Sequence, residues 1–155
     1  MYTKLIFFFI LYTIVTVSTL KAQSNNDKEL IVSTIEQLFD GMRQQDTSMI
    51  RAVMAPEMQM RTVRQHNGNT ELSGTTPHQF LQAVANAGRI VWDERIGSYE
   101  VKVDDALASV WTTYRFYRGD QFSHCGVNVF QLYKTGNDWQ IFSVVDTRRS
   151  SPCPD

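Results

Sequence analysis

The chain has 155 residues, 43% of them hydrophobic, with 15 basic and 16 acidic side chains. That composition fits one domain with a real core and excludes a disordered or fibrous protein. The charge balance, with no clustered basic excess, excludes a nucleic-acid binder, because phosphate recognition needs such a cluster.

Met1 to Lys4, the apolar run from Leu5 to Leu20, and Lys21-Ala22-Gln23 have the charged, hydrophobic and small-residue regions of a secretory signal peptide. Residues 1–22 are therefore expected to be cleaved, leaving a single domain over 23–155. A retained membrane anchor is the alternative, although the apolar run is short for a span. Without Lys4 and Lys21 the 15 basic residues fall to 13 against 16 acidic ones, a net charge near −3. The expected location is secreted or periplasmic, with no membrane contact after cleavage. In an oxidising compartment Cys125 and Cys153 form one intrachain disulfide, pair between subunits, or stay as thiols. Two cysteines and three scattered histidines do not make a metal site, and neither metal nor cofactor is expected.

Asn26, followed three residues later by Glu29, is close to a capping box. Ile31, Ile35, Leu38, Phe39 and Met42 then recur at three and four residues, which predicts an amphipathic helix ending near Gln44. Asp46 is placed to cap a short second helix carrying Met49, Ile50, Val53 and Met54, stopped by Ala55-Pro56. Met58 to Arg64 alternates as a strand, with a turn at Asn67-Gly68-Asn69 and a return through Thr70 to Ser73. Thr76-Pro77 starts a third helix, whose buried stripe is Phe80, Leu81, Val84 and Ala85 and whose stop is Gly88.

From Val91 the pattern changes to long strands rich in Val, Thr, Tyr, Phe and Trp. Asp104-Asp105, Gly119-Asp120 and Gly136-Asn137 each sit between such strands as two-residue hairpin turns. Carried along unbroken strands, those turns pair Val103 with Ala106, Arg118 with Gln121 and Tyr133 with Gln140. One face then collects Val101, Val103, Ala108, Val110, Thr112, Tyr114, Phe116, Cys125, Val127, Asp146 and Arg148. The other collects Trp111, Thr113, Arg115, Tyr117, His124, Asn128, Phe130, Trp139, Ile141 and Ser143. Neither is a solvent face, so the sheet needs two covers: the helices on one side and, most simply, a second subunit on the other. Helices followed by long antiparallel strands are an α+β layout, and a strongly curved sheet wrapped on those helices makes a half-open cone.

In element order and in several local strings the chain resembles the nuclear transport factor 2-like superfamily, specifically its SnoaL-like branch. The matching pieces are Gly41 to Asp46, Ala55-Pro56, Val101 to Ala108, and Gly136-Asn137-Asp138-Trp139-Gln140-Ile141, spread over nearly the whole of 23–155. The resemblance implies a cone-shaped, cystatin-like α+β barrel with a ligand pocket on its concave side and a homodimer through the outer sheet face. It also implies that the Trp139-x-Ile141 face looks inward, which would put Trp111, Arg115, Tyr117, His124, Asn128, Phe130 and Ser143 at the pocket. Position 115 is similar in place to a pocket arginine of the calmodulin-dependent kinase II association domain. The chain departs from many relatives in having Ser143 and Val145 where inward histidines follow Trp-x-Ile, and in its Asp146-Thr147-Arg148-Arg149 ending.

On this reading Arg115 and His124 pair across strands, where they hold an oxyanion and shuttle a proton, or stand solvated at the mouth. Asn128 orients a ligand or satisfies the backbone, and Trp111, Tyr117 and Phe130 are walls. Asp146 and Arg148 fall on the outer face, as an ion pair pinning the C-terminus or a dimer contact rather than as catalytic groups. Glu57, Arg61 and Arg64 reach the pocket only if the first strand lines it. The leading expectation is an exported protein that binds a small organic molecule. The alternatives are an isomerase, cyclase or dehydratase with His124 as acid and base, and a non-catalytic dimerisation module.

Overall fold

The apolar stripe of the first helix is the surface on which the rest of the chain assembles. In the computed structural model, which describes residues 25–154, helix α1 covers 25–44 and buries Ile31, Ile35, Leu38, Phe39 and Met42. Asn26 lies within this helix rather than at its cap. The candidate signal peptide falls outside the described residues. Gly41 allows the next helix to pack close, since a Cβ there would stand 2.6 Å from Ile50 Cγ1.

Helix α2, Thr47–Val53, starts on Asp46 as expected, whose Oδ1 accepts from the Ser48 and Met49 amides at 2.9 and 3.1 Å. Helix α3, Pro77–Ala85, has a full capping box between Thr76 and Gln79. It stops at Asn86, two residues short of Gly88.

Six strands follow the predicted order: β1 Met54–His66, β2 Asn69–Thr75, β3 Trp92–Asp104, β4 Leu107–Arg118, β5 Gln121–Thr135 and β6 Asp138–Arg148. They form one sheet in the order β2-β1-β6-β5-β4-β3. All neighbours are antiparallel except β1 and β6, which run parallel, so the sheet is mixed where the pattern predicted an antiparallel one. Two-residue turns cannot reveal that pairing, because a parallel neighbour is reached through a long connection.

Three bulges control which side chains face the helices. Gly97 is the extra residue between the Ile96–Tyr114 and Ser98–Thr113 pairs. Ser123 is extra between Phe116–His124 and Tyr117–Phe122, and Phe142 between Gln131–Ser143 and Leu132–Ile141. A bulge adds one residue to one strand only, so beyond it the two strands exchange parity. The expected turn pairs Arg118–Gln121 and Tyr133–Gln140 are present, yet neither register survives along its strands. At the first hairpin Val103 pairs Ala108 rather than Ala106, a slip of two that leaves the faces unchanged.

The buried core joins α1, α2 and α3 to Ala108, Val110, Tyr114, Phe116, Phe130, Leu132, Trp139 and Ile141. Each large apolar side chain removed from water contributes about 1.5–3 kcal/mol. Buried Asp27 ties the start of α1 to the last hairpin, accepting from Lys134 Nζ at 2.6 Å and Trp139 Nε1 at 3.4 Å. Cys125 and Cys153 form the intrachain disulfide. Cys125 stands opposite Arg149 and exchanges backbone hydrogen bonds with it.

Candidate functional site

Between the helices and the concave sheet face lies a cavity of about 180 Å³. That is below the roughly 300–1,000 Å³ of drug-sized pockets, so it suits a compact occupant. Phe39 and Phe80 form its helical wall, with Trp92, Phe116 and Phe130 on the sheet side. Its polar lining comes from Arg61, Thr62 and Thr75 on β1 and β2, and from Glu94, Tyr114, His124, Asn128, Asp146 and Arg148 on the other strands.

Glu94 is the acid on the β3 wall. It sits two residues after Trp92 and two before Ile96, on the inward row of that strand, and Arg43 braces it by donating to its backbone carbonyl at 3.3 Å. Arg43 itself is held by Asp40 at 2.5 Å and Asp93 at 3.5 Å. One carboxyl oxygen, Oε1, accepts from Asn128 Nδ2 at 2.7 Å. No cation lies within ion-pair distance of this carboxyl among the described residues. Desolvation therefore dominates: burial pushes Glu94 up to about 7, against the lowering effect of the Asn128 hydrogen bond and with a further raise from nearby Asp146.

The β6 wall is built differently. Asp146 accepts from Thr62 Oγ1 at 2.6 Å, from Arg148 Nε at 2.6 Å and from the Tyr114 hydroxyl at 3.3 Å. Tyr114 also donates to the Thr147 carbonyl at 2.8 Å. Burial, then the neighbouring carboxylates Asp146 and Glu94, push the Tyr114 hydroxyl above its ordinary value, so it remains a donor.

His124 lies against Phe116, ring centres 4.9 Å apart, and meets Tyr114 edge-on. Its Nδ1 is 3.0 Å from Ser123 Oγ. Burial first, and then the positive charges of Arg148 and Arg64, push its imidazole down to about 4, which leaves it neutral at physiological pH.

Of the residues singled out from the sequence, His124, Asn128 and Phe130 line the cavity. Trp111, Arg115, Tyr117 and Ser143 do not. The Ser123 bulge pairs His124 with Phe116 and Arg115 with Cys125, so β5 keeps its expected facing while β4 is reversed. Trp111 and Arg115 are exposed on the outer face, and Tyr117 packs there against Phe122 and under the Arg95 guanidinium. The Phe142 bulge turns Ser143 outward and brings Val144, Asp146 and Arg148 in, which moves the ion pair expected on the outer face to the cavity. Of Glu57, Arg61 and Arg64, only Arg61 lines the cavity.

Glu94 was not among the sequence candidates. Its signal was a lone acid on the apolar alternation Trp92-x-Glu94-x-Ile96. For β4 the signal was the richer apolar row, Ala108, Val110, Tyr114 and Phe116, which is the row a core claims. Among the described residues no cluster of His, Cys, Asp and Glu is placed to hold a metal ion, and no helix is long and apolar enough to cross a membrane.

No family model and no curated protein matches this chain. Solved structures do. A nuclear transport factor 2-like protein from Shewanella baltica superposes with a TM-score of 0.61 at 14% identity, over 81% of this chain and 95% of that one. A nuclear transport factor 2-like protein with a cystatin-like fold from Novosphingobium aromaticivorans gives 0.64 at 12% identity, over 84% and 86%. A protein with a cystatin-like fold from Nostoc punctiforme gives 0.63 at 10%, over 81% and 92%. At these identities the likeness carries the fold and does not single out the SnoaL-like branch.

Proposed function

The chain has the nuclear transport factor 2-like, cystatin-like α+β fold, and from that premise we propose that its cavity binds a compact, mostly apolar organic molecule and that Glu94 moves a proton on it. The observation that carries this reading is a half-buried carboxyl lining the cavity, with one oxygen held by Asn128 and the other without a partner among the described residues; desolvation pushes this carboxyl up to about 7. A group poised at the working pH both accepts and returns a proton, which is what isomerisation, cyclisation or dehydration requires. Asn128 fixes the direction in which Glu94 presents its free oxygen. The aromatic walls exclude water and hold the apolar body of the ligand. A neutral His124 with a pKa of about 4 is a weak base at pH 7, so the acid and base role expected for it passes to Glu94.

The same reading takes the protein as exported, which the disulfide supports, since such bonds persist in oxidising compartments. It also takes the protein as a homodimer through the outer sheet face. Leu107, Trp111, Phe122 and Tyr133 are all exposed there and support a covered interface.

The test begins with mass spectrometry of small molecules released from the native purified protein. The released compound is returned to ligand-free protein in deuterated water. Wild type is expected to exchange a carbon-bound proton, and Glu94→Gln to bind equally but exchange at least ~100-fold more slowly. Equal exchange by both would remove Glu94 from the chemistry and leave a binding protein.

A further inference from the structure

The parallel pairing of β1 with β6 sets two rows of side chains next to each other on the concave face. Thr62 is level with Asp146, and the next inward pair along the same ladder is Arg64 with Arg148. Level residues on neighbouring strands are about 4.8 Å apart, so two guanidinium-bearing side chains rise from adjacent points on one face. Like charges placed this way are unfavourable unless something lies between them. Asp146 engages Arg148 through Nε, at 2.6 Å, and among the described residues the outer nitrogens of that guanidinium have no hydrogen-bond partner. Arg64 is exposed and has no ion-pair partner among the described residues, although Glu71 stands level with it on β2.

Both arginines act on His124, which faces the cavity from β5. His124 and Arg148 line the cavity, and Arg64 stands beside Arg148 outside that lining; the carboxylate bound to Arg148 is Asp146, which already receives three donors. The aromatic lining comes from Phe39, Phe80, Trp92, Phe116 and Phe130.

We propose that Arg64 and Arg148 form an oxyanion-binding rim, and that the molecule occupying the cavity is a compact ring compound carrying a carboxylate, sulfate or phosphate group that this rim holds. The inference rests on the cavity being a ligand site, as set out above, and names the class of ligand. Arg148 presents its outer guanidinium edge, which matches the two oxygens of such a group. Arg64 swings in from the rim as the second cation. The ring reaches inward between Phe116 and Phe130, which leaves its far edge toward Glu94.

The test compares 2-naphthoate with its uncharged amide, 2-naphthamide, and with inorganic sulfate, using calorimetry and NMR titration on wild type and Arg64→Gln. Arg64 is exposed, so the variant is expected to fold as wild type does. Wild type should bind 2-naphthoate about 10-fold or more tightly than the amide. That preference should shrink to about 2-fold in Arg64→Gln and fall as salt rises. Bound naphthoate should also raise the His124 pKa, because an anion opposes the field of the two arginines. Equal binding of naphthoate and naphthamide, unchanged in Arg64→Gln, would overturn the anionic rim while leaving the cavity as a ligand site. Sulfate binding with no response to either ring compound would overturn both the cavity reading and the proposal of a ring-bearing ligand. No response to any probe would also overturn both.

Discussion

Glu94 on β3 and Asp146 on β6 are two carboxyl groups facing one cavity, and the protein treats them in opposite ways. Asp146 receives Thr62, Tyr114 and Arg148 and is a structural anchor for the end of the sheet. Among the described residues Glu94 receives Asn128 alone, and burial pushes it up to about 7. The difference teaches where to look for chemistry: a carboxylate whose oxygens are spoken for stabilises the fold, and one left short of partners is destabilising and available.

The largest way to break this comparison is to loosen the end of β6 on which Asp146 and Arg148 depend. The disulfide joins Cys125 to Cys153 across a separation of 28 residues, for which loop entropy gives about 3.5 kcal/mol at 25 °C. The Cys125→Ser, Cys153→Ser double variant is expected to lose stability of that order in denaturant titrations. Its Glu94 environment should stay unchanged.

Next is Asp146→Ala, which strands three donors and leaves Arg148 without its partner. It should cost about 3 kcal/mol in chemical denaturation, held down by the water that Arg148 still reaches.

Glu94→Gln should have the opposite sign. A carboxyl raised from 4.5 to about 7 by folding binds its proton more tightly in the folded state. Its destabilising effect is therefore absent below pH 4.5, grows as pH rises, and is complete above pH 7. The variant should match wild type near pH 4 and exceed it by roughly 2–3 kcal/mol at pH 8. His124 works the other way. Its folded pKa of about 4, lowered from 6.5, adds stability that is present above pH 6.5 and lost as pH falls through 4. In wild type these two slopes offset one another. Glu94→Gln should expose the His124 slope, with stability rising from pH 4 to 6.5.

The smallest expected effect sharpens the comparison from the other side. Thr62→Val keeps the shape of the side chain and removes one donor to Asp146, for a loss of about 1 kcal/mol in denaturant titrations.

The helices, the N-caps of the second and third, the hairpin positions and the α+β layout were legible in the sequence, because three- and four-residue apolar spacing and turn residues are local signals; the cap expected at Asn26 was not found there. Asp46 and Thr76 cap where their side chains and spacing placed them. The site was legible only in part, for a reason equally local. A strand's facing propagates from its turn, and a single bulged residue reverses it without any strong mark in the sequence. Ser123 and Phe142 are ordinary strand residues, and nothing about them announces an extra position in the ladder. The bulge at Ser123 sent Arg115 outward, and the one at Phe142 brought Asp146 and Arg148 inward. His124, Asn128 and Phe130 were placed on the correct side because their facing was set within β5, in the stretch between those irregularities. The parallel β1–β6 pair, which brings Thr62 to the cavity and sets Arg64 beside Arg148, was beyond reach because it joins strands far apart in the chain.

The claim on which the account turns is that Glu94 is a buried carboxyl poised near neutral pH. It is tested most directly by a pH titration of the Glu94 side-chain carboxyl carbon, labelled with ¹³C and assigned by comparison with Glu94→Gln. The expected midpoint is about 7. A midpoint at the ordinary value of 4.5 would contradict it.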